Sequence, residues 1–265
     1  MKIYLTGYSG FIGSSIYKTL SAKYEIVKIN LRKIDFQNTR DLNNCLNLFN
    51  DSNVVINCAA SLKPKSKNDF FLNEQFPIIL YEHLKNINNN TILIHLSTIN
   101  VLIDQRKDLY TISKKRAEEN LENANCNIIR LPLIFKEENG MITKDGNLSL
   151  FFQYLDYKLP FYPMIFPGHK YEALKINKLI NFLEKNFLEN NNPNKYLNIS
   201  GENKINLWDM FETIAKQKNK KIIKIKISKF IPKIVKNILS KRNNFLQQLV
   251  EIDNSDFSEN KTIIK

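Results

Sequence analysis

Two side chains four residues apart, Tyr110 and Lys114 in the run Tyr110-Thr111-Ile112-Ser113-Lys114, have the types and spacing for proton transfer. Positions i and i+4 share one face of a helix, so a phenol and an ammonium would project into the same space. A tyrosine with a reference pKa of about 10 is a poor acid or base near neutrality, and a lysine close by favours the phenolate and lowers that value. The same spacing is common on exposed helices that do no chemistry, so the surroundings decide. One strand and one turn earlier stands Ser97-Thr98, and a hydroxyl at Thr98 would hold a substrate carbonyl oxygen beside Tyr110.

A second constellation lies at the start of the chain. Three of the seven glycines fall in Thr6-Gly7-Tyr8-Ser9-Gly10-Phe11-Ile12-Gly13, between the strand-like run Lys2-Ile3-Tyr4-Leu5-Thr6 and a segment with helical apolar spacing from Ser14 to Leu20. In a strand, turn and helix of this kind Gly7 permits the tight turn, Gly10 lets backbone approach a pyrophosphate, and Gly13 lets the helix pack closely. A turn without a ligand uses the same residues, but the flanks favour dinucleotide binding. The next strand ends Ile29-Asn30-Leu31-Arg32-Lys33, with a neutral amide and two cations where NAD-specific folds place an acid. Asn30 and Arg32 therefore favour NADP(H), with NAD(H) left open.

The elements that must position these groups alternate in type. Strands are expected at Glu25–Ile29, Ile34–Phe36, Asn53–Asn57, Thr91–Leu96 and Asn127–Leu131, with helices over Thr39–Phe49, about Asp69–Leu84 and about Leu109–Glu122. This is βαβ repetition, an α/β fold with a Rossmann-type doubly wound parallel sheet. Past Pro132 the pattern loosens at Pro160, Pro163, Pro167 and Gly168, and resumes with a helix over Asn177–Phe187 and a strand at Tyr196–Ile199. The expected division is a dinucleotide-binding domain from 1–131 plus about 174–200, and a small substrate-binding lobe from 132–173 plus 201–265.

Composition sets further bounds. The 265 residues suit one α/β domain with an appended lobe, and no apolar run approaches the roughly 20 residues of a membrane span. Met1 leads straight into a strand without a cleavage signal, so a cytoplasmic protein is expected. Cys45, Cys58 and Cys126 form no C-x-x-C pair, and with His83, His95 and His169 as the only histidines no metal site is indicated. His95, at the end of a strand, is read as structural rather than catalytic. The net charge is +13, but ten lysines and arginines and no acid lie between Lys218 and Arg242, which leaves +3 to the rest. That segment reads as an alternating strand over Lys221–Ile227 and an amphipathic helix over Ile231–Leu239. A solvated face, a patch steering anionic substrates and a membrane-surface contact all remain open for it. Nucleic acid is not expected, because aromatic residues are not interleaved with the charges.

With these residues in hand, the chain resembles the extended branch of the short-chain dehydrogenase/reductases, the nucleotide-sugar epimerases, dehydratases and reductases. The resemblance runs from Met1 to about Phe135 and more faintly to Ser200. It rests on the glycine turn, on Asn57-Cys58-Ala59-Ala60, on Leu96-Ser97-Thr98 with Val101, on Tyr110 to Lys114 followed by Ala117-Glu118, and on Arg130-Leu131-Pro132. It implies Tyr110 as general acid/base, Lys114 as the group lowering its pKa and binding the nicotinamide ribose, and Thr98 as the substrate-orienting hydroxyl. It also implies that Asp35 and Phe36 contact adenine, that Ala59 and Ala60 line the cofactor cleft, and that Phe11, Ile12, Asn73 and Pro132 belong to the cofactor site. A nucleotide-sugar substrate and a homodimer through the helices around Tyr110 and Asp69–Leu84 would be usual for such a chain.

Departures from the family pattern narrow the activity. The loop from Thr98 to Tyr110 is short, Leu133 stands where many relatives have asparagine, and the closing tryptophan motif is missing, so a reduced substrate lobe is expected. Dehydratases of this kind carry Asp-Glu after the residue matching Thr98, whereas Ile99-Asn100 stands here. What the resemblance leaves is a reductase of a 4-keto sugar, with a 4-epimerase that retains NAD and a non-catalytic NADP-binding sensor or scaffold as alternatives.

Overall fold

The structure is a computed structural model that describes residues 1–88, 90–103, 106–160, 162–164, 170–190, 196–202, 205–224 and 261–264. His169, the helix expected over 231–239 and most of the basic segment lie outside the described residues.

Strands β1 (Lys2–Thr6), β2 (Glu25–Ile29), β3 (Val54–Asn57), β4 (Ile92–Thr98) and β5 (Asn127–Leu131) join Tyr196–Gly201 and Lys261–Ile264 in one seven-stranded sheet. Every pairing in it is parallel, and the order across it is β2, β1, β3, β4, β5, Tyr196–Gly201, Lys261–Ile264. The strands are almost continuously apolar because both faces are covered. Alternate residues serve the two faces. Ile3, Leu5, Val54, Ile56, Ile94, Leu96 and Ile129 pack under α1 (Phe11–Leu20) and a later helix, Ile176–Leu183. Tyr4, Val55, Leu93 and Ile128 pack on the other face, with α2 (Thr39–Asn47) and the helix Phe76–Ile87.

Two expected elements are corrected. The segment Ile34–Phe36 is not a strand: Leu31–Lys33 is a 3-10 turn, Asp35 accepts from Gln37 N at 3.0 Å, and Asn38 N bonds back to Asp35 O. These local bonds curl the chain toward Asn38, whose side chain caps α2. The single helix expected over Asp69–Leu84 is two, α3 (Lys67–Glu74) and α4 (Phe76–Ile87), broken at Gln75. Pro77 is the cause, since it has no N–H to give to the carbonyl of Asn73 and its ring crowds that carbonyl. A capping box of Ser66 and Asp69 starts α3.

The remaining helices are α5 (Leu109–Asn120), α6 (Ser149–Leu155), α7 (Ile176–Leu183, continued as a π-helical turn over Glu184–Glu189) and α8 (Leu207–Gln217). Helices α6 and α8 enclose a separate small core of Phe135, Leu148, Phe151, Leu155, Met210, Phe211 and Ile214. The strand Lys261–Ile264, within the stretch expected in the lobe, instead pairs with Tyr196–Gly201 at the sheet edge, so the lobe does not hold all of 201–265. At Gly201 a Cβ would collide with the carbonyl oxygen of Ala173, which lets this strand run against the segment entering α7. The lobe also meets the glycine turn: the ring edge of Phe11 lies 2.7 Å from where a Cβ of Gly146 would stand.

Candidate active site

The glycine turn sits at the carboxyl end of β1, where the chain order reverses between β1 and β3, the place such sheets bind ligands. Its three glycines are required for different reasons. Gly7 has φ +64, and a Cβ there would lie 2.6 Å from the carbonyl carbon of Cys58. A Cβ on Gly13 would collide with the carbonyl oxygen of Gly7. Both are fixed by protein packing. Gly10 is exposed, and a Cβ there would meet only Gly7 O at 3.3 Å, so the fold restricts it less than it does Gly7 or Gly13. Gly10 precedes α1, whose first turn has neither an acid nor a side-chain cap. Uncapped N–H groups at an open helix start suit a diphosphate, so these residues fit a dinucleotide.

Helix α5 begins where Asp108 caps it. The Asp108 carboxylate accepts from Thr111 N at 3.0 Å and from Thr111 Oγ1 at 2.8 Å, and is itself held by Arg106 Nε at 2.6 Å. Tyr110 thereby falls in the first turn, half-buried, and Lys114 one turn further, fully buried. Burial pushes the Tyr110 phenol up to about 12, with the Asp108 carboxylate adding to the rise and Arg106 opposing it. This differs from the lowered phenol expected from the tyrosine and lysine spacing. The reason is where Lys114 lies: its Nζ is 3.2 Å from His95 Nε2. Burial holds Lys114 down to about 8, against the favourable fields of Glu118 and Cys58.

His95 belongs to a polar row that crosses three strands. Thr6, Asn57 and His95 stand opposite one another in register on β1, β3 and β4, each fully buried. Thr6 Oγ1 donates to Asn57 Oδ1 at 2.7 Å, and Asn57 Nδ2 lies 3.1 Å from His95 Nδ1. Ala59 N donates to Thr6 Oγ1 at 3.2 Å and to Asn57 Oδ1 at 3.3 Å, which ties the row to the turn beside Gly7. Neither His95 nor Asn57 stands among the site residues expected from sequence. The signal that was there is a histidine and an asparagine inside otherwise apolar, buried strands.

The other expected residues divide between cleft and scaffold. Thr98 ends β4, and its Oγ1 accepts from Asn100 N at 3.3 Å, which leaves the hydroxyl proton to donate elsewhere. Ala59 is buried and Ala60 half-buried, both following β3, and Pro132 is half-buried just past β5. Asn30 is exposed and accepts from Arg32 N at 3.1 Å, with the Arg32 side chain in solvent. Asp35 is exposed, whereas the Phe36 ring is buried against Phe71 and Phe76 and serves the core rather than an adenine face. Asn73 is fully buried and engaged by the protein: it accepts from Ser61 N at 2.8 Å and donates to Ser61 O and Ser113 Oγ at 2.9 Å each. It staples the loop after Ala60 to α5. Phe11 and Ile12 open α1 and are half-buried.

The fold as a whole is matched among solved structures. The dTDP-4-dehydrorhamnose reductase of Bacillus anthracis, solved in complex with NADP, is 13% identical, covers 86% of this chain and 84% of its own, and superposes with a TM-score of 0.67. The UDP-glucuronic acid 4-epimerase of Bacillus cereus, in complex with NAD, is 21% identical over 86% of both chains, with a TM-score of 0.64. RMD of Pseudomonas aeruginosa, complexed with NADPH, is 14% identical over 85% and 86%, with a TM-score of 0.65. The likeness is one of fold, a Rossmann-type parallel sheet like that of these reductases and this epimerase. No family model and no curated protein matches the sequence itself. In this chain the glycine turn follows β1, Thr98 ends β4 and α5 follows it, which puts them at the same carboxyl edge of the sheet.

Proposed function

We propose that this protein is an oxidoreductase of a nucleotide-activated sugar that uses NADP(H) in preference to NAD(H) and reduces a 4-keto group. The observation that supports it most is the pairing of an uncapped, open α1 start at Gly10 with a buried lysine one turn beyond Tyr110, both at the carboxyl ends of β1, β3 and β4. The similarity to reductases solved with NADP or NADPH supports the same reading. Backbone of Gly7, Gly10, Phe11, Ile12 and Gly13 would hold the diphosphate, Asn30 and Arg32 the adenosine ribose, and Ala59, Ala60 and Pro132 the cleft walls. A nicotinamide held there would supply the hydride that reduces the keto carbon. Thr98 donates to the carbonyl oxygen and fixes its direction, and the Tyr110 phenol gives that oxygen its proton as the carbon is reduced. Burial keeps the phenol protonated at neutral pH, so Tyr110 holds the proton it would give. Lys114, held against His95 one helical turn from Tyr110, would contact the nicotinamide ribose.

The test is turnover of NADPH with a dTDP-activated 4-keto-6-deoxy sugar by the wild type and by Tyr110→Phe. Stoichiometric NADPH loss is expected for the wild type, with a drop of about 100- to 10,000-fold in the variant at unchanged cofactor affinity. Interconversion of fully hydroxylated nucleotide sugars with no net change in the nicotinamide would establish an epimerase instead. NADPH binding without turnover of either substrate class would favour a sensor or scaffold.

A further inference from the structure

The polar row under Lys114 permits only certain proton arrangements. Ala59 N and the Thr6 hydroxyl both point at Asn57 Oδ1, so the Asn57 amide nitrogen faces His95 and donates to Nδ1. A neutral imidazole that accepts at Nδ1 carries its proton on Nε2. That proton faces Lys114 Nζ, and an ammonium has no lone pair to receive it. In this arrangement Lys114 is an amine. An ammonium at Lys114 demands the opposite: it donates to Nε2, the imidazole proton moves to Nδ1, and the Asn57 amide turns so that its oxygen receives that proton. Thr6 Oγ1 then accepts from both the amide nitrogen and Ala59 N. The turned amide keeps its shape but gives up the bonds that its oxygen received from Ala59 N and the Thr6 hydroxyl, so the second arrangement is held by the lysine charge and the first by these two donors. A charged imidazole fits neither, and burial together with the Lys114 charge holds His95 well below its ordinary range.

We infer that His95 is a positioning residue for Lys114, and that the row Thr6, Asn57, His95 converts the charge state of the lysine into a tautomer of the histidine and an orientation of the amide. The charged and titratable groups around Lys114 are His95 from β4, Cys58 from the turn after β3, and Tyr110 and Glu118 from α5 itself. Burial pushes Cys58 up to about 12, so the thiol stays neutral while Lys114 changes. Glu118 is held in its own ion pair with Arg130. The lysine titrates in the range where its charge matters, at about 8, and the row registers that titration without itself gaining or losing charge. Because the last donor of the row is Ala59 N, the state of Lys114 reaches the turn that packs on Gly7. The value of this to a reaction rests on the role proposed above for Lys114. The coupling does not.

The experiment is imidazole nitrogen NMR on the full chain labelled with ¹⁵N-histidine, from pH 6 to 10, with His95 assigned by the signal lost in His95→Gln. The expected result is a proton on Nδ1 at low pH that passes to Nε2 with the midpoint of Lys114, without an imidazolium between. In Lys114→Met, and in Lys114→Gln should the first variant fold poorly, the tautomer no longer changes in that range. A single tautomer throughout in the wild type, or a change that persists without the lysine, overturns the proposal. No turnover is needed, so the result is independent of whether the proposed reaction is right. Where turnover is measurable, His95→Leu should move the pH limb set by Lys114 to lower pH while His95→Gln restores it. A loss of rate with the limb unmoved in His95→Leu counts against positioning.

Discussion

Replacing the glycines of the first turn one at a time separates packing from ligand binding. Gly7→Ala and Gly13→Ala place a methyl against backbone that cannot yield, and each should cost about 1–3 kcal/mol in urea denaturation. Gly10→Ala sets its methyl 3.3 Å from the carbonyl oxygen of Gly7, a tight contact but the mildest of the three, and should cost less stability than either while raising the dissociation constant for NADPH. Unaltered NADPH binding in Gly10→Ala would move the diphosphate site elsewhere. Lys114 carries a stability signature as well. Its pKa is about 8 folded against an ordinary 10.5, so the fold disfavours the ammonium by on the order of 3 kcal/mol. Below pH 8 that cost is present in full; between pH 8 and 10.5 the folded lysine is neutral and the unfolded one charged, and stability climbs; above 10.5 the cost has gone. Lys114→Met removes this pH dependence, so the stability gap between the two proteins should shift by that amount in favour of wild type from pH 7 to 11. A gap that stays constant would mean the lysine is not desolvated. That Tyr110 and Lys114 share one helix was legible from the helical reading of about Leu109–Glu122, and that Thr98 follows a strand from the apolar run before it. The contact between Lys114 and His95 was not, because it joins residues 19 apart on different elements and depends on strand register.

Helix α5 carries Tyr110 and Lys114 and is held to the sheet by buried charge. Glu118 accepts from Ser97 Oγ of β4 at 2.5 Å and from Arg130 of β5 at 2.5–3.2 Å, and the Arg130 guanidinium stacks 4.8 Å from the ring centre of Tyr196. Removing the carboxylate leaves a largely buried cation, so Glu118→Ala should cost roughly 3 kcal/mol in chemical denaturation and, by loosening α5, lower kcat more than it raises KM. A change within about 0.5 kcal/mol would show that the interface absorbs the loss. The helix bounds followed from the sequence closely at α5 and poorly at α3 and α4. Asp108 is a readable cap, but the weight of Pro77 becomes plain only when the carbonyl it opposes is known to be helical. Ile34–Phe36 failed as a strand for a related reason: apolar and β-branched content did not outweigh the local bonds of Asp35 and Asn38.

Across the whole molecule, the sheet was recoverable from sequence because parallel strands buried on both faces are the strongest apolar signal a chain can carry. The packing of the lobe was not, since α6 is short and the residues that meet in it, such as Phe151 and Phe211 at 5.0 Å, come from distant segments. The two parts meet where Phe11, the first residue of α1, lays its ring against Gly146, a glycine with φ +60 that no larger residue could replace without moving that ring. Phe11 thus stands with one side in the turn proposed to hold the diphosphate and the other on the stretch that leads into α6. Occupancy of the turn should therefore be readable far along the chain by hydrogen–deuterium exchange: NADPH slows exchange not only at residues 10–14 but at the amides of 149–155. In Phe11→Ala the first protection should persist and the second disappear.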